Sequence, residues 1–593
     1  MIQENYDITP LTTFGIKAKA RFFAEYSSVK ELQQILRTPE YQQSEVLHMG
    51  GGSNVLFLRD FNGIVLRSAI KGLQVYRKNE DTVYLIAGAG EDWPSLVDFC
   101  VEQGLAGLEN LAGIPGQAGA SAIQNVGAYG VEAKDCIFKV ECYDRLTHTV
   151  RNFTREECCF AYRDSIFKHE AKGRYFVLRV CFKLTPSVKA RSLDYGPLRE
   201  LTATLGHEPT ISDVRDEVLR IRNAKLPHPS ELGSAGSFFK NPIVSRSYYE
   251  SVVLAADPKV PCYPIDETHV KIPAGWLIEH AGLKGCRIGD AQVYERQCLV
   301  IVNRGAATGE SVMALAEHVI KTVKETYGIY LRPEVNVIDT SVHVEVLGSG
   351  TSKGVPEPGC LCRTCRSADT RDKRFRSSVL VKTHGLTFLI DASPDLRSQA
   401  LRSGLLDIDA TILTHQHYDH VGGLDDLRAY GIDKNVPVYA SASVASDLRK
   451  RLDYCFRPHP YPGVPNIELH EIGEQPFYFQ GVKIIPVRVM HASLPILGFR
   501  IGDFAYVTDA KTIDDSELEK LKGVKVLIVN ALRFREHFSH FSVSEALEFI
   551  DKVKPQRAWL THICHDMGLH AEAETMLPDH VRLAYDGLKF RVD

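Results

Sequence analysis

The chain has 593 residues, a formal net charge of -4, 44% hydrophobic residues and 24% charged residues. That length is enough for about four domains of roughly 150 residues each, and no strongly basic balance points to nucleic acid. The opening MIQENYDITP has no basic stretch followed by an apolar run, and no apolar segment approaches the roughly 20 residues that span a bilayer. A cytoplasmic protein without membrane insertion is therefore expected. The 14 cysteines are scattered except for one cluster near 360. In a reducing compartment, scattered cysteines read as small buried apolar residues.

In chain order, the first notable segment is MGGGSNVLF, residues 49–57, which follows the apolar EVLH. Backbone N–H groups exposed by such a turn can bind a pyrophosphate, although a plain tight loop has the same composition. Short β-rich runs at 82–87 and 175–184 alternate with helical segments such as 95–103. AGIPGQAGASAIQNVGAYG, residues 112–130, has almost no large side chain before Tyr129. Gly113, Gly116 and Gly119 let backbone approach a flat or charged ligand closely. The spacing is not GxGxxG, so a Rossmann nicotinamide site is not indicated. Val312, Leu315, Ala316, Val319, Ile320, Val323 and Tyr327 recur at helical spacing, and Gly328 is placed to end that helix. Residues 329–337 read as a strand interrupted by Pro333, which puts the strand at an edge or bends it.

Several separated motifs in this half carry a resemblance: TTFGI, GGGSNVLF, GIPG with QNVGAYG, CFAYRDS, KLPHP, GSAGSFFKNP and RPEV. Together, over residues 3–338, they resemble the UDP-N-acetylenolpyruvoylglucosamine reductase family. The resemblance implies an α+β architecture. An FAD-binding fold of the vanillyl-alcohol oxidase (PCMH) type, with two subdomains, would occupy 1–200. An α/β substrate-binding domain with a closing strand would occupy 201–339. It implies FAD contacts at Gly51, Gly52, Ser53, Asn54, Gly113, Ile114, Pro115, Gly116 and Asn125.

The family's chemistry needs a cation, a hydrogen-bonding acid and a proton donor, because hydride addition to an enolpyruvyl ether builds negative charge beside a carboxylate. By motif, Arg163 is implied as the cation, Ser237 as the proton donor and Glu334 as the group that stabilises the enolate. Read without the family, Arg163 is an ordinary surface ion-pair partner and Glu334 a solvated strand residue. Tyr195 is implied to close over the nucleotide sugar, and Lys225 and Asn241 to meet the UDP phosphates. The plain alternatives are turn packing for Tyr195 and solvation for Lys225. NADPH and the enolpyruvyl sugar would use the same cleft in turn, with ping-pong kinetics. A flavin-dependent alcohol oxidase of the same fold is the alternative, and it would lack the Arg/Ser/Glu set.

After about 342 the texture changes. Apolar runs end directly in His or Asp: ATILTH, IIPVRVMH, FAYVTD and RAWLTH. THQHYDHVGG supplies His415, His417, Asp419 and His420, and the other strand-end ligands are His491, Asp509 and His562. Alternate positions of an extended chain point the same way, so His415 and His417 can grip one ion. Imidazole and carboxylate suit zinc, iron or manganese. CLCRTC offers Cys360, Cys362 and Cys365 as three corners of a zinc tetrahedron, with His565 of THICHD as the fourth; a redox pair is the alternative.

The HxHxDH pattern resembles the metallo-β-lactamase superfamily, an αββα sandwich, here expected over 342–593. The resemblance assigns His415, His417 and His491 to a first metal and Asp419, His420 and His562 to a second, with Asp509 bridging. The thiolate cluster with HxxH resembles the branch containing cyclic-phosphate phosphodiesterases, in which the extra zinc is structural. His540, in REHFSHFSVSEA, is implied to enter the site and assist the leaving oxygen, although it and His537 also read as surface histidines. Arg533 and Arg535 suit phosphate or a solvated face equally. The expectation is a hydrolase with two catalytic Zn or Mn ions acting on a small phosphodiester. A nuclease, a thioester hydrolase and a non-catalytic scaffold are the alternatives. In LRPEVNVIDTSVHVEVLGSGTSKGVP, residues 331–356, only a few residues around Thr340 and Ser341 separate the two halves.

Overall fold

The computed structural model describes residues 2–169, 171–190, 192–431, 434–457 and 463–592. The chain divides into two compact units, Met1–Asp339 and Thr340–Asp593. Among the described residues, no helix is long and apolar enough to cross a membrane.

The first unit contains a four-stranded sheet in the order Gln3–Asp7, Lys19–Tyr26, Phe61–Ser68, Glu45–Met49. A larger antiparallel sheet runs Thr149–Thr154, Ile137–Asp144, Tyr175–Pro186, Val83–Gly88, Leu73–Arg77. The helix Trp93–Glu102 packs on it because Trp93, Leu96, Val97 and Cys100 fall on one buried face. Asp92 caps that helix by accepting from Ser95 N at 3.1 Å. A third antiparallel sheet is built from Gly233–Ser237, Val300–Asn303, Ala291–Val293 and Arg287–Ile288. The helix Gly309–Tyr327 buries all seven apolar positions that its spacing nominated, and Gly328 ends it with φ +72°.

Two expectations need adjustment here. Residues 329–337 do not form one strand. Only Asn336–Ile338 is a strand, paired in parallel with Val55–Phe57. Ahead of it, Pro333 makes an isolated bridge with Phe239, held by Lys240 N donating to Arg332 O and Glu334 N to Phe238 O. Proline has no N–H to continue a ladder, which is why the segment is extended but unladdered. The expected boundary at 200/201 also does not separate two cores. The helix Ile211–Lys225 places Val214 and Val218 in the same buried cluster as Val83, Trp93 and Leu198.

The second unit is two seven-stranded sheets. The first runs Ile467–Ile472, Val436–Ser441, Ala410–Ile412, Leu386–Ile390, Ser378–Thr383, Val342–Gly348, Lys589–Val592. The second runs Phe477–Phe479, Val482–His491, Leu494–Ile501, Phe504–Val507, Val526–Asn530, Arg557–Thr561, Val581–Leu583. Val344, Val381, Phe388 and Ile412 of one meet Ile484, Phe499, Tyr506 and Ile528 of the other in a shared core. Leu396 and Val444, from helices Leu396–Ser403 and Ala442–Arg451, cover the outside of the first sheet. Phe549 and Ile550, from Val543–Val553, cover the second. The order of layers is helix, sheet, sheet, helix.

Leu386–Ile390, Ala410–Ile412, Phe504–Val507, Val526–Asn530 and Arg557–Thr561 have parallel neighbours. Their carboxyl ends deliver Asp391, His415, Asp509 and His562 to one edge of the sandwich, the place where open α/β sheets carry ligands.

Each unit has its own buried clusters. Residues 1–339 and 340–593 expressed separately are therefore expected to give one cooperative thermal transition each, followed by far-UV circular dichroism. A non-cooperative melt of either segment would contradict this.

Candidate active sites

In the first unit two glycine-rich loops lie against each other. A Cβ on Gly51 would come within 2.9 Å of Gly116 Cα. Gly52 sits at φ +62°, where a Cβ would fall 1.9 Å from Leu11 O. Ser53 Oγ donates to Pro115 O at 2.8 Å, tying the loops together. Among the described residues, the backbone N–H groups of Gly51, Gly52, Ser53 and Asn54 donate to no protein acceptor. A run of free N–H groups on a turn without side-chain bulk fits a phosphate-bearing cofactor such as FAD. Gly113 and Gly116 have φ of +67° and +141°, as a loop of this kind requires. Asn125 differs from the other expected cofactor residues. It is fully buried, and its carboxamide is spent on Glu132, Ala161 O and Lys134 N. It shapes the loop and has no side-chain group left for a ligand.

Arg163, Ser237 and Glu334 come together from distant parts of this unit. Arg163 Nε lies 3.0 Å from Glu334 Oε1, and its Nη2 donates to Gly127 O. Glu334 N donates to Phe238 O at 2.7 Å, which sets Glu334 beside the residue following Ser237. The Ser237 hydroxyl makes no hydrogen bond to protein among the described residues. Arg163 has φ +55°, an uncommon conformation for a side chain of its size.

Asn241 is near this group. Its Nδ2 donates to Tyr162 Oη at 3.4 Å, and its Oδ1 accepts from Ala274 N. Tyr195 is half exposed, edge-on to Tyr129 with ring centroids 5.8 Å apart. Lys225 is exposed at the last turn of its helix.

In the second unit the oxygens of Asp509 face two groups. Oδ1 lies 3.4 Å from His420 Nε2 and 3.2 Å from His562 Nδ1. Oδ2 lies 3.8 Å from both His415 Nε2 and His540 Nδ1. Asp419, His420, Asp509 and His562 have donor atoms within 4.8 Å of one another, and so do His491, Asp509 and His540. His417 joins through His415, with Nδ1 and Nε2 3.0 Å apart, and through ring centroids 5.2 Å from His491.

Nitrogens of several of these rings are fixed by protein acceptors. His491 Nδ1 donates to Asp509 O and Ser539 O, both at 2.9 Å. His420 Nδ1 donates to Asp391 at 2.7 Å. Their Nε2 atoms are thereby left for the site. His420 Nε2 and His540 Nδ1 are buried without a hydrogen-bond partner. Orphaned imidazole nitrogens converging on carboxylates fit divalent metal ions.

Burial first, then the neighbouring His562, holds His540 down at about 3, which leaves the ring neutral with a lone pair available to a ligand. His537 stays outside the cluster, bonded to Ser539. Arg533 and Arg535 both pair with Asp566, at 3.1 and 3.3 Å.

The third cluster is Cys360, Cys362, Cys365 and His565. His565 Nδ1 lies 3.3 Å from Cys360 Sγ and 3.5 Å from Cys365 Sγ. The donor set suits a closed tetrahedral zinc site. The Cys365 N–H, the largest influence, lowers the Cys362 thiol from its usual range and favours thiolate.

The comparisons with known proteins follow this division. A family model for an FAD binding domain matches residues 20–151. One for the C-terminal domain of UDP-N-acetylenolpyruvoylglucosamine reductase matches 228–338. One for a beta-lactamase superfamily domain matches 387–563. These matches define a flavin-binding oxidoreductase unit followed by a metallo-β-lactamase-fold unit.

The UDP-N-acetylenolpyruvoylglucosamine reductase of Flavobacterium johnsoniae is 43% identical over 338 residues, 57% of this chain and 99% of that relative. That of Neisseria gonorrhoeae is 44% identical over 342 residues, 57% and 98%. The chain belongs to the UDP-N-acetylenolpyruvoylglucosamine reductase family, with a metallo-β-lactamase-fold domain following the reductase region. Among solved structures, a diphosphatase from the PhnP family is 38% identical, covering 42% of this chain and 98% of its own, with a TM-score of 0.40. The reductase of Thermus caldophilus is 26% identical, covering 57% and 98%, with a TM-score of 0.39.

Asp391 was missed in the sequence. It is fully buried, accepts from His420 and from Thr414 N and Oγ1, and has φ +62°. The signal was present, since Asp391 ends the apolar run TFLID just as Asp509 ends FAYVTD. Asp391→Ala is expected to weaken metal binding by about 10- to 100-fold, the usual effect of removing a carboxylate that orients a ligating histidine. Competition titration with a zinc chelator measures it, and unchanged affinity would contradict the role.

Proposed function

We propose that the first unit reduces the enolpyruvyl ether of UDP-N-acetylglucosamine to UDP-N-acetylmuramate in peptidoglycan precursor synthesis, with NADPH as reductant. We propose that the second is a dinuclear-metal hydrolase of a small phosphodiester. The single observation that best supports the first reading is the Arg163–Glu334 pair at 3.0 Å beside a serine whose hydroxyl is free.

When bound at the two glycine loops, FAD supplies the hydride that NADPH provides. The rest falls to side chains. Arg163 neutralises the substrate carboxylate as charge spreads into it. An incoming carboxylate competes with Glu334 for the same guanidinium, and two carboxylates at one cation favour protonation of one of them. Protonated Glu334 can then donate to the developing enolate. The Ser237 hydroxyl passes its proton to the carbon. Tyr195, Lys225 and Asn241 are proposed to bind the nucleotide diphosphate.

In the second unit, His415, His417, His491 and Asp509 are proposed to hold one divalent ion, zinc or manganese. Asp419, His420, His562 and Asp509 are proposed to hold the other. Such a pair, when bound, lowers the pKa of water and neutralises charge at phosphorus. His540, whose Nδ1 lies 3.8 Å from Asp509 Oδ2, is proposed to assist the leaving oxygen. The thiolates and His565 are proposed to hold a structural zinc.

Ser237→Ala is expected to slow reoxidation of reduced flavin by the enolpyruvyl sugar by about 10²- to 10⁴-fold, the range for removing a positioned proton donor. Reduction by NADPH should persist, and stopped-flow flavin absorbance separates the two steps. In the full chain, chelation should abolish turnover of bis(p-nitrophenyl) phosphate and leave the reductase unchanged. Turnover of glutathione thioesters without phosphodiester turnover would overturn the hydrolase reading.

A further inference from the structure

Lys168 ends the short 3₁₀ turn Ile166–Lys168 and is partly buried. Its Nζ donates to Gln124 Oε1 and to Arg163 O, each at 3.0 Å. Gln124 Nε2 donates in turn to Glu334 Oε1 at 3.4 Å, the oxygen that pairs with Arg163 Nε. We propose that Lys168 is a positioning residue for the reductase reaction, acting through Gln124 and the Arg163 carbonyl to hold the Arg163–Glu334 pair. This rests on the reductase reading above.

An ammonium group has three donors and no acceptor, whereas a carboxamide presents either end. Lys168 therefore requires the Gln124 oxygen to face it, which turns the Gln124 NH₂ toward Glu334. Without the cation, the amide can flip and present oxygen to a carboxylate. The second contact acts on the backbone. Arg163 sits at φ +55°, and a left-handed non-glycine residue persists only where its surroundings hold it. The ammonium on its carbonyl is such a restraint.

The charge on Lys168 is itself poised. Burial first, and Lys240 and Lys172 with it, lower the ammonium to about 8, while Asp164 and Glu334 oppose that shift.

The test is stopped-flow measurement of both half-reactions on the full-length holoenzyme. Lys168→Met should slow flavin reoxidation by the enolpyruvyl sugar by about 10²-fold, the usual consequence of a reacting group misplaced by about 1 Å. Reduction by NADPH should stay within about twofold, because the Arg163–Glu334 pair acts on the sugar's carboxylate. Lys168→Arg should restore most of the rate. Gln124→Leu should reproduce the loss, and the double variant should be no worse than either single one, as expected for residues acting in series. The gap between wild type and Lys168→Met should narrow above about pH 8, as the ammonium is lost.

Equal losses in both half-reactions, additive effects of the two substitutions, or an unaffected Lys168→Met would each overturn the inference. The underlying reading fails separately, if the wild-type flavin is not reoxidised by the enolpyruvyl sugar at all.

Discussion

A carboxylate taken out of water must find positive charge or hydrogen-bond donors, and both candidate sites are organised around that requirement. In the first unit Glu334 finds Arg163 and Gln124. In the second, Asp391 and Asp509 are almost fully buried, and each is surrounded by imidazoles, hydroxyls or backbone donors. Burial alone would push these acids up. The histidines around Asp509 reverse that and keep it ionised. Beside Asp509, His420 Nε2 and His540 Nδ1 are buried without a hydrogen-bond partner, which is the condition for binding a metal.

Backbone conformation does the aiming. Arg163, Asp391, Asp509 and His562 all have φ between +55° and +62°, and none is glycine. In the second unit, Asp391 and His562 follow directly on strands buried between layers, and Asp509 follows one residue after such a strand. A left-handed residue there turns the chain sharply while the strand behind it stays fixed. That combination places a side chain to within a narrow range without a long loop. Because such conformations cost about 1–3 kcal/mol each, they persist where surrounding contacts over-determine them. His562 is held this way by Thr351 and Ser377.

The loop from His562 to His565 connects two clusters of different character. His562 faces the carboxylate–imidazole group and His565 faces the thiolates. Soft and hard ligands are thus separated by three residues of one chain segment, so ordering one cluster constrains the other. Cys564 between them is half-buried and belongs to neither group of converging donor atoms.

What the sequence determined by itself was whatever is written locally. His415, His417, Asp419 and His420 lie within six positions, and the thiolates of CLCRTC within six more. Strand period and helix spacing were likewise local, as in Gly309–Tyr327. Arg163, Ser237 and Glu334 were legible only through family motifs, since nothing in one sequence says that residues so far apart meet. Tertiary structure alone decided the rest. It broke the expected strand at Pro333, moved the helix Ile211–Lys225 into the core of the flavin-binding region, and spent Asn125 on internal hydrogen bonds. It also recruited Lys168, Gln124 and Asp391, whose roles depend on which donor faces which acceptor across separations of 5 to 210 residues. Periodicity reports which face of an element is buried. The partner of a buried polar group is settled only when distant segments pack and its desolvation must be compensated.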